Sequence, residues 1–128
     1  MKLFVDDIRN PPDDSWHICR TVGAAVRALA QFGPTIEAIS FDHDISHQVA
    51  VGSVSRPYPC EETYQPVAEI VGLLYELLRF KGVNWSPRIT VHSANPTGAR
   101  HIEKILAGYG LSCEIAPLGQ ANRLEMFI

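Results

Sequence analysis

Lys2-Leu3-Phe4-Val5-Asp6-Asp7 is an apolar run that stops on two carboxylates, and the same pattern returns twice along the chain. Ile36 to Phe41 runs into Asp42-His43-Asp44, and Arg88 to Val91 runs into His92-Ser93. Short apolar runs cut off by polar clusters read as buried strands that end in loops. Helical periodicity fills the intervals. Thr21 can cap a helix through its hydroxyl, after which Ala24, Ala25, Val26, Ala28, Leu29 and Phe32 form one apolar face, ended by Gly33-Pro34. Thr63 to Phe80 reads as the longest helix, with Val67, Ile70, Val71, Leu74, Leu77 and Leu78 as its buried stripe. Asn95-Pro96-Thr97 opens a third helix, with Ile102, Ile105 and Leu106 facing inward, and Gly108 and Gly110 end it. Trp16 to Arg20 and Leu111 to Ala116 supply two further strands. Strands alternating with helices predict a mainly parallel sheet covered on both faces. The first crossover is the exception: Asn10-Pro11-Pro12-Asp13-Asp14 is built of prolines and turn formers, so residues 6–15 carry no helix signal.

With 128 residues, 46% of them hydrophobic and 20% charged, the chain is expected to be one ordinary α/β domain spanning 1–128. A net charge of -3 excludes the composition of a disordered chain. A pI near 5.9 provides no basic footprint, so neither bulk nucleic acid nor an anionic membrane is an expected partner. Cys19, Cys60 and Cys113 are odd in number and widely spaced, which predicts reduced thiols rather than a disulfide set or a zinc site. Neither a signal peptide nor an apolar segment of the roughly 20 residues needed to span a bilayer is visible, so a soluble, cytoplasmic protein is expected. Residues 45–61 form a long connection containing Gly52, Pro57 and Pro59, of the kind that is often functional. Tyr58 and Tyr64 flank it, where a ring can stack on a base, although ordinary packing is the simpler reading. Trp16 and Trp85 read as covers for the core's edges. The tail from Pro117 to Ile128 has no clear assignment beyond a candidate edge strand over Leu124 to Ile128.

In open parallel sheets the ligand site lies at the carboxyl ends of the strands, near the point where strand order reverses. If the strands ending at Asp6-Asp7, Asp42-His43-Asp44 and His92-Ser93 are neighbours, their polar ends meet in one pocket. Four carboxylates gathered there repel one another unless a cation neutralises them. Oxygen ligands favour Mg²⁺ or Mn²⁺, with positions left open for water and phosphate. The simpler reading is that some of these acids only cap loops.

The arrangement resembles the receiver domain of two-component response regulators. Phe4-Val5-Asp6-Asp7 matches the receiver's acidic pair, Ser40-Phe41-Asp42 its phosphoacceptor strand, and Thr90-Val91-His92-Ser93-Ala94 the strand that ends in its hydroxyl residue. The resemblance implies a flavodoxin-like, three-layer fold with a five-stranded, mainly parallel sheet in order 2-1-3-4-5. It also implies Mg²⁺ held by Asp6, Asp7 and Asp42. Two departures stand out. No lysine lies at Ala116-Pro117-Leu118, where a receiver has one, and a loop replaces the receiver's first helix. The strings Asp6-Asp7-Ile8-Arg9-Asn10-Pro11, Phe41-Asp42-His43-Asp44 and His92-Ser93-Ala94-Asn95-Pro96 are similar to a receiver-like family associated with processing cyclic phosphates. That likeness implies a phosphoesterase-type role on a cyclic phosphate or nucleotide derivative.

The residues suit such chemistry. A metal at the three aspartates would polarise a phosphoryl oxygen and activate water. Histidine ordinarily titrates near neutrality, which singles out His43 and His92, with Asp44, as proton carriers. Arg9 and Arg100 offer planar donor pairs to phosphate, and Ser93 and Asn95 stand at a helix start that favours anions. Asn95 as a helix cap and Arg100 as a solvated cation are the competing readings. His17, His47 and His101 have no partner in sequence and read as surface residues. The expected function is a metal-dependent phosphoesterase acting on a small phosphate ester or cyclic nucleotide. The rivals are a divergent receiver that signals or binds phosphate without turnover, and a metal- or nucleotide-binding sensor.

Overall fold

A computed structural model describes residues 1–45 and 63–116. Five parallel strands, β1 (Lys2–Val5), β2 (Trp16–Cys19), β3 (Ala38–Phe41), β4 (Arg88–Val91) and β5 (Glu114–Ile115), form one sheet in the order β2-β1-β3-β4-β5. Three helices, α1 (Val22–Phe32), α2 (Gln65–Phe80) and α3 (Pro96–Gly108), connect them. This is the flavodoxin-like, receiver-type order that the sequence resemblance implies, and residues 6–15 contain no helix. The candidate edge strand at 124–128 and most of the 45–61 connection, with Tyr58, Cys60 and His47, lie outside the described residues.

Chain direction explains where the helices go. The connections β2→β3, β3→β4 and β4→β5 all step the same way across the sheet, and right-handed crossovers therefore put α1, α2 and α3 on one face. That face carries Leu3, Val5, Ile39, Phe41, Ile89 and Val91, which join Ala28, Leu29, Val67, Val71, Ile102 and Leu106 in the core. The β1→β2 step runs the opposite way, so a helix there would cover the other face. With a loop in its place, the described residues supply one helical layer, and the second face shows Phe4 packed edge-on against Trp16, with the Lys2 ammonium over the indole.

Element ends follow from local hydrogen bonds. Thr21 caps α1 by accepting from the Ala24 amide, as its hydroxyl predicts. Strand β3 begins at Ala38 and not at Ile36, because a 3-10 turn occupies Gly33–Thr35 and the Trp85 indole takes the Ile36 carbonyl. Helix α2 begins at Gln65 and not at Thr63, because Thr63 pairs with Asp44 in an antiparallel bridge. Its buried stripe also differs from the expected one. Leu77 is half exposed, while Ala68 and Gly72 are buried beside Val67 and Val71. The cause is close packing of α2 on α3, where the Tyr109 ring lies directly on Gly72. No helix among the described residues is long and apolar enough to cross a membrane.

Gly72 sets packing against helix propensity. Alanine should favour the helix by about 1 kcal/mol, yet a Cβ at residue 72 would run into the Tyr109 ring. Overpacking typically costs about 1–3 kcal/mol. Urea unfolding of Gly72→Ala should therefore show a net loss of stability, and the same change in a Tyr109→Ala background should show a gain.

Candidate functional site

The three central strands end level with one another. Val5, Phe41 and Val91 are in register, and the ladder continues one step beyond them, with the Asp42 amide donating to the Val5 carbonyl and the His92 amide to Phe41. Asp6, Asp42 and His92 therefore sit side by side. Because side chains alternate along strands, all three project to the face that carries Phe4, Ser40 and Thr90. This point lies between β1 and β3, where strand order reverses, so chain topology places the site where open sheets bind ligands.

Asp6 is fully buried and fully bonded. Its Oδ1 accepts from the Ile8 and Arg9 amides, both at 3.0 Å. Its Oδ2 accepts from Arg9 Nη1 at 3.3 Å and His92 Nε2 at 2.9 Å. Burial alone would raise the Asp6 pKa, but the bonds from His92 and the two amides outweigh it and hold the carboxyl far below the usual range. Asp42 behaves oppositely. Burial and the neighbouring Asp6 charge raise its pKa, despite the bond from the His43 amide to Oδ1 at 2.7 Å and the Arg9 guanidinium at 3.1 Å from Oδ2. One oxygen each from Asp6, Asp7 and Asp42 lies within 4.8 Å of the others, a spacing and a hard donor set that fit a divalent cation such as Mg²⁺ or Mn²⁺.

The loop that replaces a helix has a defined job here. Arg20 Nη1 grips the Asp6 and Arg9 carbonyls, and its Nη2 holds the Asn10 side chain. Arg20 is in turn fixed by the Tyr64 phenol, which donates to its carbonyl at 2.7 Å. The loop therefore presents Arg9 Nη1 between Asp6 and Asp42, within ion-pair distance of both. Tyr64 is wholly buried, which removes it as a base-stacking ring; burial, followed by the charges of Asp7, Asp6 and Asp42, pushes its pKa up and keeps it a donor.

His92 supports this cluster from behind. It is 2% exposed and stacks on Phe4, with ring centroids 4.7 Å apart. Asp6 can only accept, so Nε2 donates to it, and Nδ1 shares a hydrogen bond with the Ser40 hydroxyl at 2.7 Å.

A second cluster starts at the next residue. His43 Nδ1 is 2.8 Å from Asp44 Oδ1, which can only accept, so the proton is on Nδ1. The Nε2 lone pair faces the Gln65 amide nitrogen at 2.9 Å. Asn95 holds Asp44 through its amide at 3.1 Å while its oxygen caps α3 by accepting from Gly98. Asn95 is thus both the cap and the contact to Asp44. Gly98 is required, because a Cβ there would strike the His43 ring. Ser93 accepts from the Asn95 amide.

The sequence-derived candidates thus divide. Asp6, Asp7, Asp42 and Arg9 meet in the first cluster with His92 beneath, and His43, Asp44 and Asn95 meet in the second. Arg100 joins neither through any contact among the described residues. Its side chain is 69% exposed and pairs with Glu103 at 3.1 Å, as the helical spacing of the two allows. Sequence reasoning overlooked Arg20, Ser40 and Gln65. Ser40 left a signal, a hydroxyl inside the apolar run Ile39-Ser40-Phe41; Gln65 left none. His101, read as a plain surface residue, lies with Nδ1 at 3.5 Å from the Gln65 amide. Cys19 and Cys113 are free thiols that burial pushes up to about 11, which makes them poor nucleophiles at neutral pH.

The two aspartates predict opposite pH behaviour in the metal-free protein. Asp6 is depressed when folded, so its contribution is complete above its unfolded value, about 3.9, and is lost as pH falls below it. Asp42 is raised, so its ionised form opposes folding above that same value. Asp6→Asn should therefore destabilise the protein at pH 7 by about 3 kcal/mol. Asp42→Asn should stabilise it at pH 7, with the gain shrinking toward pH 4. Denaturant titrations at both pH values check both signs.

A family model described as the cyclic-phosphate processing receiver domain matches residues 1–108. No curated protein and no solved structure gives a match. The chain belongs to the cyclic-phosphate processing receiver family.

Proposed function

We propose that this member of the receiver family is a divalent-metal-dependent phosphoesterase that opens a cyclic phosphate or cleaves a related nucleotide-derived ester. The observation that carries the reading is the pairing of a three-carboxylate cluster with an aspartate-oriented histidine one residue away. Asp6, Asp7 and Asp42 are the ligands that would hold Mg²⁺ or Mn²⁺, and such a cation, when bound, supplies Lewis acidity and neutralises charge at the phosphoryl group.

Each remaining role belongs to a side chain. Asp44 keeps the His43 proton on Nδ1, which leaves the Nε2 lone pair to take a proton from the attacking water and return it to the leaving oxygen. Gln65 engages that lone pair in the resting site and must yield it to the reacting water. Arg9 offers its guanidinium to a phosphate oxygen. Ser93 and Asn95 stand at the start of α3, where the positive end of the helix dipole favours an anion. His92 is cast differently from the sequence expectation. Both its ring nitrogens are engaged in the interior, so it positions Asp6 and carries no proton to substrate. Arg100 has no part in this reading.

Turnover is checked by phosphorus NMR with Mg²⁺ or Mn²⁺ and a panel of 2′,3′-cyclic, 3′,5′-cyclic and ADP-ribose-type cyclic phosphates, alongside acetyl phosphate. Ring opening that disappears in Asp42→Ala is the expected result. His43→Gln should lower kcat by about 10²–10⁴, with the fold retained by circular dichroism. A lasting acyl-phosphate signal from acetyl phosphate would replace the enzyme with a phosphorylated receiver. No reaction across the whole panel would leave a ligand-binding module.

A further inference from the structure

We propose that Arg9 and the divalent cation compete for the same carboxylate oxygens, so that metal binding expels the guanidinium and turns it onto the phosphate. The proposal rests on the preceding reading that Asp6, Asp7 and Asp42 form the metal site.

The argument is a count of lone pairs. An ionised carboxylate has about four acceptor positions. On Asp6 all four are taken, by the Ile8 amide, the Arg9 amide, Arg9 Nη1 and His92 Nε2. Asp6 therefore cannot ligate a cation until one donor leaves. The two amides belong to a turn whose carbonyls Arg20 clamps from outside. His92 is buried, stacked on Phe4 and tied at its other nitrogen to Ser40. Arg9 Nη1 makes the longest of the four bonds, at 3.3 Å, from a side chain that is 32% exposed. It alone can depart by rotating a flexible stem.

The same Nη1 also occupies Asp42 Oδ2, so one departure clears an oxygen on each aspartate. A guanidinium and a divalent cation cannot share those oxygens, since a hard ion demands the lone pair at about 2.0–2.1 Å and like charges repel. The released side chain keeps its backbone pinned to Asp6, so it stays within reach of whatever anion the metal attracts. Two couplings follow. Metal and guanidinium are antagonists at the carboxylates, and metal and phosphate are mutual enhancers through Arg9, a coupling that is reciprocal by linkage.

The test is calorimetric titration of MgCl₂ into the metal-free full chain, with and without saturating inorganic phosphate. Arg9→Gln should bind Mg²⁺ at least about tenfold more tightly than the wild type, and Arg9→Lys, which keeps the charge, should stay near the wild type. Phosphate should tighten Mg²⁺ binding about fivefold or more in the wild type and by clearly less in Arg9→Gln, where only the direct attraction of metal and anion remains. Without any substitution, the Arg9 Nε–Hε resonance of ¹⁵N-labelled wild type should shift on Mg²⁺ addition, which decides the matter even if a variant fails to fold. Equal or weaker Mg²⁺ binding by Arg9→Gln, or an Arg9 resonance that ignores Mg²⁺, would overturn the competition while leaving the carboxylate site standing. No Mg²⁺ or Mn²⁺ binding by any of the proteins would overturn both.

Discussion

Two aspartates at the same level of adjacent parallel strands, both out of water, have to be reconciled electrostatically before this fold is stable. The structure divides the problem unequally. Asp6 receives every hydrogen bond its carboxylate can accept and is held ionised, whereas Asp42 receives fewer and carries the strain of burial beside a like charge. Much of the surrounding architecture follows from this asymmetry. His92 lies under Asp6 because a donor is needed there, the acceptor-only carboxylate sets a proton on Nε2, Ser40 holds the other ring nitrogen, and Phe4 fixes the plane of the ring. On the solvent side Arg20, braced by Tyr64, shapes the loop that brings Arg9 to both carboxylates.

The loop also resolves the departure from an ordinary receiver. The chain has no lysine after its fifth strand to meet the phosphoacceptor position. A cation reaches Asp42 all the same, from a different element and a different direction. The segment that carries no helix is thus also the one that delivers the positive charge to Asp42.

Much of this was legible in the sequence. Strand and helix order came from apolar runs and 3.6-residue periodicity, and the three strand ends pointed to the acidic and histidine clusters because neighbouring parallel strands bring their carboxyl ends together. What escaped was whatever depends on neighbours rather than on spacing. Periodicity assigned Leu77 to the buried stripe of α2, but the real stripe is turned toward Ala68 and Gly72 by the Tyr109 ring, which arrives from another helix. Arg100 reads from sequence as a phosphate donor or as a solvated cation, and only the folded helix shows it exposed and paired with Glu103. Gln65 is an unremarkable residue in sequence and gains its meaning only from the histidine it faces.

The brevity of the strands has a consequence for how such a site can change. β1, β3 and β4 are each four residues long, and Asp6, Asp7, Asp42, His43, His92 and Ser93 lie just past their ends. Deleting one residue from β3 would carry Asp42 to the helical face and put His43 beside Asp6, breaking up both clusters with no substitution at any ligand. The chemistry is thus written in the spacing between residues as much as in their identity. Point substitutions can tune this site in small steps, but an insertion or deletion in these strands rewrites it at once, so lineages of such chains should vary in their loops and hold their strand lengths constant.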